Sequence, residues 1–275
     1  MNEIQQKLLG MVKWFHSLCS DNRLRYYILG GTMLGAVRHK GFIPWDDDID
    51  VGLPRKDYER LKEILKHKNG KFVLEAPLEK DDYAYSYCKL YDTSTTLIEK
   101  KRFNPKRGIY IDVFPLDGIG SDEQESKKNY KKIKSKINYL STKTCALRKG
   151  RKFYKNAAII ISRILPGPSW KKTILKINSM GASRDFDESV YIGNLMGAWG
   201  YKEVMKREVL GEPTEYVFED TKLYGPADYD SYLKSLYGNY MQPPPPEKQK
   251  SHHDYIYLNL SESYLDNKFI REKGF

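Results

Sequence analysis

The sequence predicts an α/β (α+β) fold in which a mixed β-sheet is flanked by helices and interrupted by a basic helical insertion. Three observations predict this class. Helical patterns alternate with short β-prone runs over residues 2–66. A strand-rich stretch then covers 71–114, and a lysine-rich helical pattern covers 122–142. The chain has 275 residues, of which 40% are hydrophobic, so it can bury a substantial core.

The elements follow from local patterns. Apolar residues recur every three or four positions over residues 2–26, which predicts an amphipathic helix. A strand should end at Gly30-Gly31, and a short helix should begin there. Further strands are predicted over 48–53, 71–74, 83–90, 96–99 and 108–114, and helices over 57–66, 202–205 and 229–236. Asp117 follows Pro115-Leu116 and is predicted to lie in a turn.

The net charge of +11 comes from one segment. Residues 127–176 contain 16 Lys and Arg and no acidic residue, and the rest of the chain has 31 basic and 36 acidic residues, a net charge of −5. We therefore expect no nucleic acid partner, although a charge of this size often indicates one. Two alternatives remain for the segment: a solvated insertion whose apolar stripe packs on the core, or an element that contacts an anionic membrane surface.

We expect the protein to be located in the cytoplasm. Residues 127–176 could in addition contact the inner face of the membrane peripherally. No uncharged apolar run approaches the roughly 18–20 residues of a spanning helix, and residues 1–19 do not resemble a secretory signal. The 3 cysteines, Cys19, Cys88 and Cys145, lie far apart, which argues against a disulfide framework or a zinc cluster.

Four acidic residues precede or begin the second predicted strand: Asp46, Asp47, Asp48 and Asp50. Strand side chains alternate, so Asp48 and Asp50 should project on one side, about 7 Å apart. Carboxylate pairs of this kind suit Mg²⁺, with Mn²⁺ as the alternative ion, because Mg²⁺ takes one or two carboxylates plus substrate phosphate oxygens. The alternative is a charged turn. For Asp46 and Asp47 the sequence is equally compatible with a charged turn and with a metal-binding role.

The run Gly30-Gly31-Thr32 ends a predicted strand and opens a helix. Glycines allow a phosphate to approach the backbone, and the amides and dipole of a helix N-terminus attract anions. Thr32 can add a hydroxyl, and Arg38 can hold remaining negative charge. A Gly-Gly pair alone usually marks a turn, but followed by the acidic pair it predicts a phosphate site facing a metal site.

Asp112 is the candidate for a third carboxylate. It lies within the apolar run 108–114, where burying an unpaired charge is costly. Metal coordination or a role as a base would explain it. A salt bridge to a buried Arg or Lys is the structural alternative.

The run Gly30–Asp50, together with the segments 57–61 and 110–118, resembles the LicD family, whose members are phosphocholine transferases and relatives with the nucleotidyltransferase fold. Tyrosine-rich motifs over 229–241 extend the resemblance to the C-terminal part. It covers roughly 25–120 and 190–255, and the basic middle of the chain matches no family motif. It implies three parts: a catalytic core (1–121), the basic helical insertion (122–182) and a C-terminal part that completes the core and the substrate site (183–275).

The resemblance implies Mg²⁺-dependent transfer of phosphocholine from CDP-choline to a sugar hydroxyl of a teichoic acid or lipopolysaccharide precursor, with release of CMP. The acceptor would be a lipid-linked glycan. Asp48, Asp50 and Asp112 would be the metal-binding and catalytic residues. The implied substrate-binding residues are Gly30, Gly31, Thr32, Arg38, Trp45, Asp47, Lys89 and His252. Lys89 could equally be an exposed strand lysine, Trp45 and Trp199 could help form an aromatic cage for choline, and His252 could be part of a surface pair.

Three alternatives stay open at this stage. The donor could be another CDP-alcohol, with glycerol or ribitol in place of choline. The enzyme could instead use an NTP and release pyrophosphate, with the basic segment binding nucleic acid. The third is a non-catalytic adaptor that retains the fold, although Asp48, Asp50 and Asp112 argue against it.

Overall fold

The computed structural model of the chain describes residues 1–148, 150, 152–251 and 255–266. The helices are α1 (Glu3–Asp21), α2 (Gly30–His39), α3 (Arg55–Leu65), α4 (Glu123–Thr144), α5 (Phe153–Ile164), α6 (Trp170–Gly181), α7 (Arg207–Leu210) and α8 (Tyr229–Tyr237). The strands are β1 (Tyr27–Ile28), β2 (Asp50–Pro54), β3 (Phe72–Glu75), β4 (Cys88–Asp92), β5 (Thr96–Glu99), β6 (Lys106–Arg107), β7 (Tyr110–Gly120), β8 (Tyr191–Asn194), β9 (Val204–Lys206), β10 (Thr214–Phe218), β11 (Thr221–Gly225) and β12 (Tyr255–Asn259). Short 3₁₀ turns cover Gly200–Glu203 and Pro246–Lys248.

A seven-stranded mixed sheet forms the centre of the fold. Its main path runs β1-β2-β7-β4-β3, and β8 joins β7 and carries β9. The pair β2 and β7 is parallel and the other pairs are antiparallel. This confirms the predicted fold class, a mixed sheet flanked by helices. The three-part division of the chain stays a prediction, although β8 and β9 do return to the sheet after α4–α6.

The core lies between this sheet and the helices. Strands β2 and β7 contribute alternating apolar residues such as Val51 and Val113, and α1 contributes Leu8, Val12 and Phe15, all fully buried. Helix α1 begins with a capping box in which Asn2 and Gln5 satisfy each other's backbone N–H groups. The apolar spacing that predicted α1 therefore corresponds to its buried face.

Three local predictions were wrong. The strand predicted over 83–90 begins only at Cys88, because residues before it form turns. The helix predicted over 202–205 is a 3₁₀ turn followed by β9. Asp117 lies inside β7 and is fully buried, because Arg55 holds its carboxylate with two hydrogen bonds of 2.7 Å.

Helix α4 of the basic insertion packs on the core. Asp122 caps its N-terminus by accepting a 2.8 Å hydrogen bond from the Glu125 N–H. Tyr130, Ile133 and Leu140 are buried, so most of the predicted apolar stripe faces the protein. Among the described residues, no helix has the length and hydropathy needed to cross a bilayer.

Candidate active site

Two acidic residues lie opposite each other on the parallel strands β2 and β7. The register pairs Asp50 with Asp112, and the Asp112 N–H donates to the Ile49 carbonyl at 3.0 Å. Neighbouring strands are about 4.8 Å apart, and paired residues project on the same face of a sheet. The fold therefore brings together two carboxylates that are 62 positions apart in the sequence.

The surroundings of Asp50 are acidic. Partial burial raises the pKa of Asp50 well above its ordinary value, and the negative charges of Asp48, Asp112, Glu203 and Asp46 raise it further. Asp48 precedes β2 instead of lying within it, so the two predicted strand neighbours do not share a regular strand. The charged groups that most affect Asp50 are all carboxylates, and this concentration of negative charge favours a cation.

The donor set fits a hard divalent cation. Within residues 1–148, 150, 152–251 and 255–266, no group of three or more His, Cys, Asp and Glu side chains forms a ready-made metal site. A site with one or two carboxylates is nevertheless typical of Mg²⁺, which completes its coordination with water and phosphate oxygens. Asp50, with Asp48 or Asp112, could supply such a pair.

The N-terminus of α2 lies directly against these acids. Gly30 has a φ of +50°, and a Cβ built on it would be 3.3 Å from Oδ2 of Asp50. A Cβ on Gly31 would be 2.7 Å from Oδ2 of Asp46. Gly30 suits this position because a side chain would be strained at its positive φ, and a side chain at Gly31 would require the Asp46 carboxylate to move. The predicted phosphate-binding turn and the predicted metal-binding acids are thus neighbours.

Two groups of this turn have protein partners. The Gly30 N–H donates to the Tyr232 hydroxyl at 2.9 Å. The Thr32 hydroxyl oxygen accepts a 2.9 Å hydrogen bond from the Asp50 N–H. Thr32, predicted as a substrate ligand, therefore also positions the backbone of Asp50.

Lys89 is buried beside Asp112, so the interpretation of an exposed strand lysine is wrong. Antiparallel β4 pairs Lys89 with Asp112, and Nζ lies 2.8 Å from Oδ1 of Asp112 and 4.0 Å from Oε1 of Glu99. The rings of Tyr85 and Tyr110 surround the ammonium, at 4.5 and 3.2 Å from their centroids. The salt bridge that was the alternative explanation for Asp112 is therefore present, within an otherwise acidic site.

Lys89 controls the charge of both carboxylates. Burial raises the pKa of Asp112, and the ammonium of Lys89 opposes that rise. Burial would also raise the pKa of Glu99, but Lys89 and neighbouring donors hold it below its ordinary value. Lys89 thus opposes the effect of burial at both acids: the pKa of Asp112 remains above its ordinary value, and that of Glu99 lies below it.

The remaining predicted residues lie at the rim or outside the described part of the chain. Nη1 of Arg38 donates to the Tyr240 carbonyl at 2.8 Å, so Arg38 joins α2 to the C-terminal segment. Trp45 is half-buried and packs against the core. Oδ2 of Asp47 accepts from the Ser251 hydroxyl at 2.7 Å. His252 follows directly but lies outside the described residues.

Three further residues shape the site, and of these Gln5 has no local sequence signal. The Gln5 amide donates to the carbonyls of Ile43 and Asp46 at 3.2 and 2.9 Å, so α1 holds the loop that carries the acids. Burial raises the pKa of Tyr237, and the carboxylates of Asp50 and Asp46 add to the rise. The half-exposed Trp199 ring packs edge-on against Tyr237 at 4.6 Å. Their contacts with the acidic site follow from the tertiary fold.

Glu203 is a buried acid near Asp50 that the sequence does not single out. It accepts a 2.8 Å hydrogen bond from the Trp199 N–H, and burial raises its pKa to about 7. A raised pKa means that the folded state holds the proton more tightly, so stability should fall as pH rises from about 4.5 to 7. We expect Glu203→Gln to flatten this part of the pH profile.

The check for Glu203 is the melting temperature of both proteins at pH values between about 4.5 and 7, the range over which its contribution to stability changes. Glu203 also has a side-chain hydrogen bond with Asn194, which the substitution disturbs, so the slope against pH is the informative quantity and not the absolute value. An unchanged slope in Glu203→Gln would assign the pH dependence to other groups.

The part of the chain that carries the site matches a nucleotidyltransferase domain family. Residues 23–147 match the family model described as the LicD/FKTN/FKRP nucleotidyltransferase domain. The match contains Asp48, Asp50, Lys89 and Asp112 together with the start of α2. This match confirms the resemblance to the LicD family seen in Gly30–Asp50.

Three relatives show how far this similarity extends. The lipopolysaccharide cholinephosphotransferase LicD of Haemophilus influenzae is 28% identical over 275 residues, covering 96% of this chain and 98% of the relative. An uncharacterised protein of Rickettsia typhi is 45% identical over 126 residues, or 45% of this chain and 38% of its own length. The human ribitol 5-phosphate transferase FKRP is 29% identical over 92 residues, or 31% of this chain and 18% of its own length.

Proposed function

We propose that the chain is a Mg²⁺-dependent phosphotransferase that moves phosphocholine from CDP-choline to a hydroxyl of a glycan and releases CMP. The observation that carries the proposal is the register of Asp50 opposite Asp112 beside the N-terminus of α2. The near full-length similarity to a lipopolysaccharide cholinephosphotransferase supports the choice of donor and acceptor.

The diphosphate of the donor suits both halves of the site, the N-terminus of α2 and the cluster of carboxylates. The N-terminus of α2 offers backbone amides and a favourable dipole to phosphate oxygens, and Arg38 lies on the same helix. Asp48, Asp50 and Asp112 are the residues that would hold Mg²⁺, or Mn²⁺ in its place. When bound, the ion neutralises phosphate charge that the protein alone would repel.

The transfer is a substitution at phosphorus. The acceptor oxygen forms a bond to the phosphorus that carries choline, and the bond from that phosphorus to the bridging oxygen breaks. CMP leaves with the bonding electron pair. The proton of the acceptor hydroxyl passes to a carboxylate, and Asp112 is the candidate because it lies opposite Asp50 and the Lys89 ammonium beside it opposes the rise in its pKa.

A screen of donors tests this proposal. We expect CDP-choline with Mg²⁺ to raise the melting temperature of the protein more than CDP-ribitol, CDP-glycerol or CTP, and EDTA to remove the effect. A larger effect of CDP-ribitol would keep the reaction class and replace the donor, as the similarity to a ribitol 5-phosphate transferase makes plausible. Stabilisation by CTP alone, with pyrophosphate release, would contradict the proposal and favour the NTP-dependent alternative.

The proposed acceptor is a lipid-linked precursor of a cell-surface glycan, of the lipopolysaccharide or teichoic acid type. The proposed place of action is the cytoplasmic face of the membrane, where such a precursor presents its sugar. This requires a protein surface that can contact lipid, and the site itself is not such a surface because it is acidic.

A further inference from the structure

Helix α5 exposes most of its apolar side chains instead of burying them against the core. Of its 12 residues only Ile159 is buried. The side chains of Phe153, Ile161 and Ile164 are 88%, 53% and 77% exposed. A surface helix of a globular protein normally turns its apolar stripe toward the core, so the outward direction of this stripe needs an explanation.

The exposed apolar residues and the half-buried Ala157 form one continuous face. Phe153, Ala157, Ile160, Ile161 and Ile164 follow the spacing i, i+4, i+7, i+8 and i+11, which places them on one side of a helix. Tyr154, Ala158 and Leu165 border the same side and are also exposed. We call these eight residues the outer face of α5.

Asn156 and Arg163 lie on the inner side of α5 and attach it to the segment that follows α4. Nη2 of Arg163 donates to the Cys145 carbonyl at 2.7 Å, and the amide of Asn156 donates to the Arg148 carbonyl at 3.0 Å. The ammonium of Lys143 donates to the Ser162 carbonyl. These contacts fix which side of the helix faces outward, so the outer face is a consequence of the fold.

The charge around the outer face is positive. Residues 127–176 have no acidic side chain, and Lys152 and Lys155 are exposed at the N-terminal end of α5, while Lys171 of the same segment pairs with Asp81. An apolar strip with a basic border is the pattern of helices that lie in the interface of an anionic membrane. A second copy of the chain is a poor partner for the strip, because two segments of the same positive charge would repel each other.

We propose that the outer face of α5 inserts into the surface of an anionic lipid bilayer and docks the enzyme there. At 12 residues the helix is about 18 Å long, too short to cross the ~30 Å hydrocarbon layer, so it lies along the surface. The basic side chains contact lipid headgroups, and the apolar ones reach the acyl region. This docking does not depend on the identity of the donor.

Co-sedimentation of the full chain with vesicles tests the proposal. We expect binding to phosphatidylcholine vesicles that contain about a third phosphatidylglycerol, weaker binding to phosphatidylcholine alone, and partial release by high salt. The double substitution Ile160→Glu with Ile164→Glu should weaken binding at least tenfold, by about the loss expected for two buried apolar side chains.

A matched control separates the apolar contact from net charge. Ser135→Glu with Ser179→Glu adds the same two charges at exposed positions on α4 and α6, outside the outer face. We expect this control to bind vesicles more tightly than the α5 variant. Circular dichroism and CMP release with a water-soluble acceptor check that both variants remain folded and active.

Two results would overturn the proposal. One is equal vesicle binding by the α5 variant and its control. The other is a stable dimer of the wild-type chain that the α5 substitutions dissociate, together with no vesicle binding, because a second copy would then cover the outer face. Vesicle binding without any turnover of CDP-choline would retain the docking and reject the proposed function.

Discussion

Replacement of Asp50 by Asn is expected to lower kcat by roughly a hundredfold or more while making the metal-free protein more stable. The loss of activity follows from the removal of one of the two carboxylates that β2 and β7 bring together. The gain in stability follows from the raised pKa of Asp50, because the folded state holds an ionised Asp50 near Asp48 and Asp112 at a cost.

The sign of the pH effect is specific. An acid whose pKa is raised in the folded state destabilises it once pH rises above the pKa in the unfolded chain. The advantage of Asp50→Asn should therefore be present at neutral pH and shrink on acidification. Mg²⁺ should raise the melting temperature of the wild-type protein and have little effect on the variant.

The control for Asp50 is Asp220→Asn, which changes an exposed carboxylate paired with Lys13 on the surface. It should keep both activity and the Mg²⁺ response. Activity close to wild type in Asp50→Asn, or a loss of stability with no change in the Mg²⁺ response, would contradict the assigned role of Asp50.

Replacement of Lys89 by Met is expected to destabilise the protein by about 3–5 kcal/mol, since it leaves Asp112 and Glu99 buried without their common cation. The pKa values of both acids should then rise. The variant should be least stable at neutral pH and recover as the carboxylates are protonated on acidification. Urea unfolding of both proteins at several pH values measures this effect.

Lys101→Met is the matched control for Lys89, because Lys101 also lies near the Tyr85 ring, at 5.5 Å, but is exposed. Its expected cost is below about 1 kcal/mol. If Lys89→Met were as stable as Lys101→Met, the burial of the Lys89–Asp112 pair would be wrong. Loss of activity in Lys89→Met under conditions where it stays folded would show that the ion pair also positions Asp112.

Local sequence signals predicted the part of the site whose functional residues lie close together in the sequence. Gly30-Gly31-Thr32 and the acids up to Asp50 lie within 21 residues, and Asp112 interrupts an apolar strand, which is itself conspicuous. The role of Lys89 could not be predicted in the same way. It depends on the register between β4 and β7, which decides whether a strand lysine faces solvent or a carboxylate.

Other features depend on contacts between distant parts of the chain. Glu203 and Tyr237 reach the acidic site from the C-terminal third, and Gln5 reaches it from α1. The apolar spacing of α5 was visible in the sequence, but periodicity does not say which side of a helix faces the core. That direction is set by the hydrogen bonds of Asn156 and Arg163 to the end of the insertion.

The most direct test of the account is the stoichiometry of the products formed from CDP-choline, Mg²⁺ and a glycan acceptor. We expect the wild-type protein to release one CMP for each phosphocholine that becomes attached to the acceptor, and Asp50→Asn and Asp112→Asn to form neither product at a comparable rate. Pyrophosphate release from an NTP with no consumption of CDP-choline, or product formation by either variant at the wild-type rate, would contradict it.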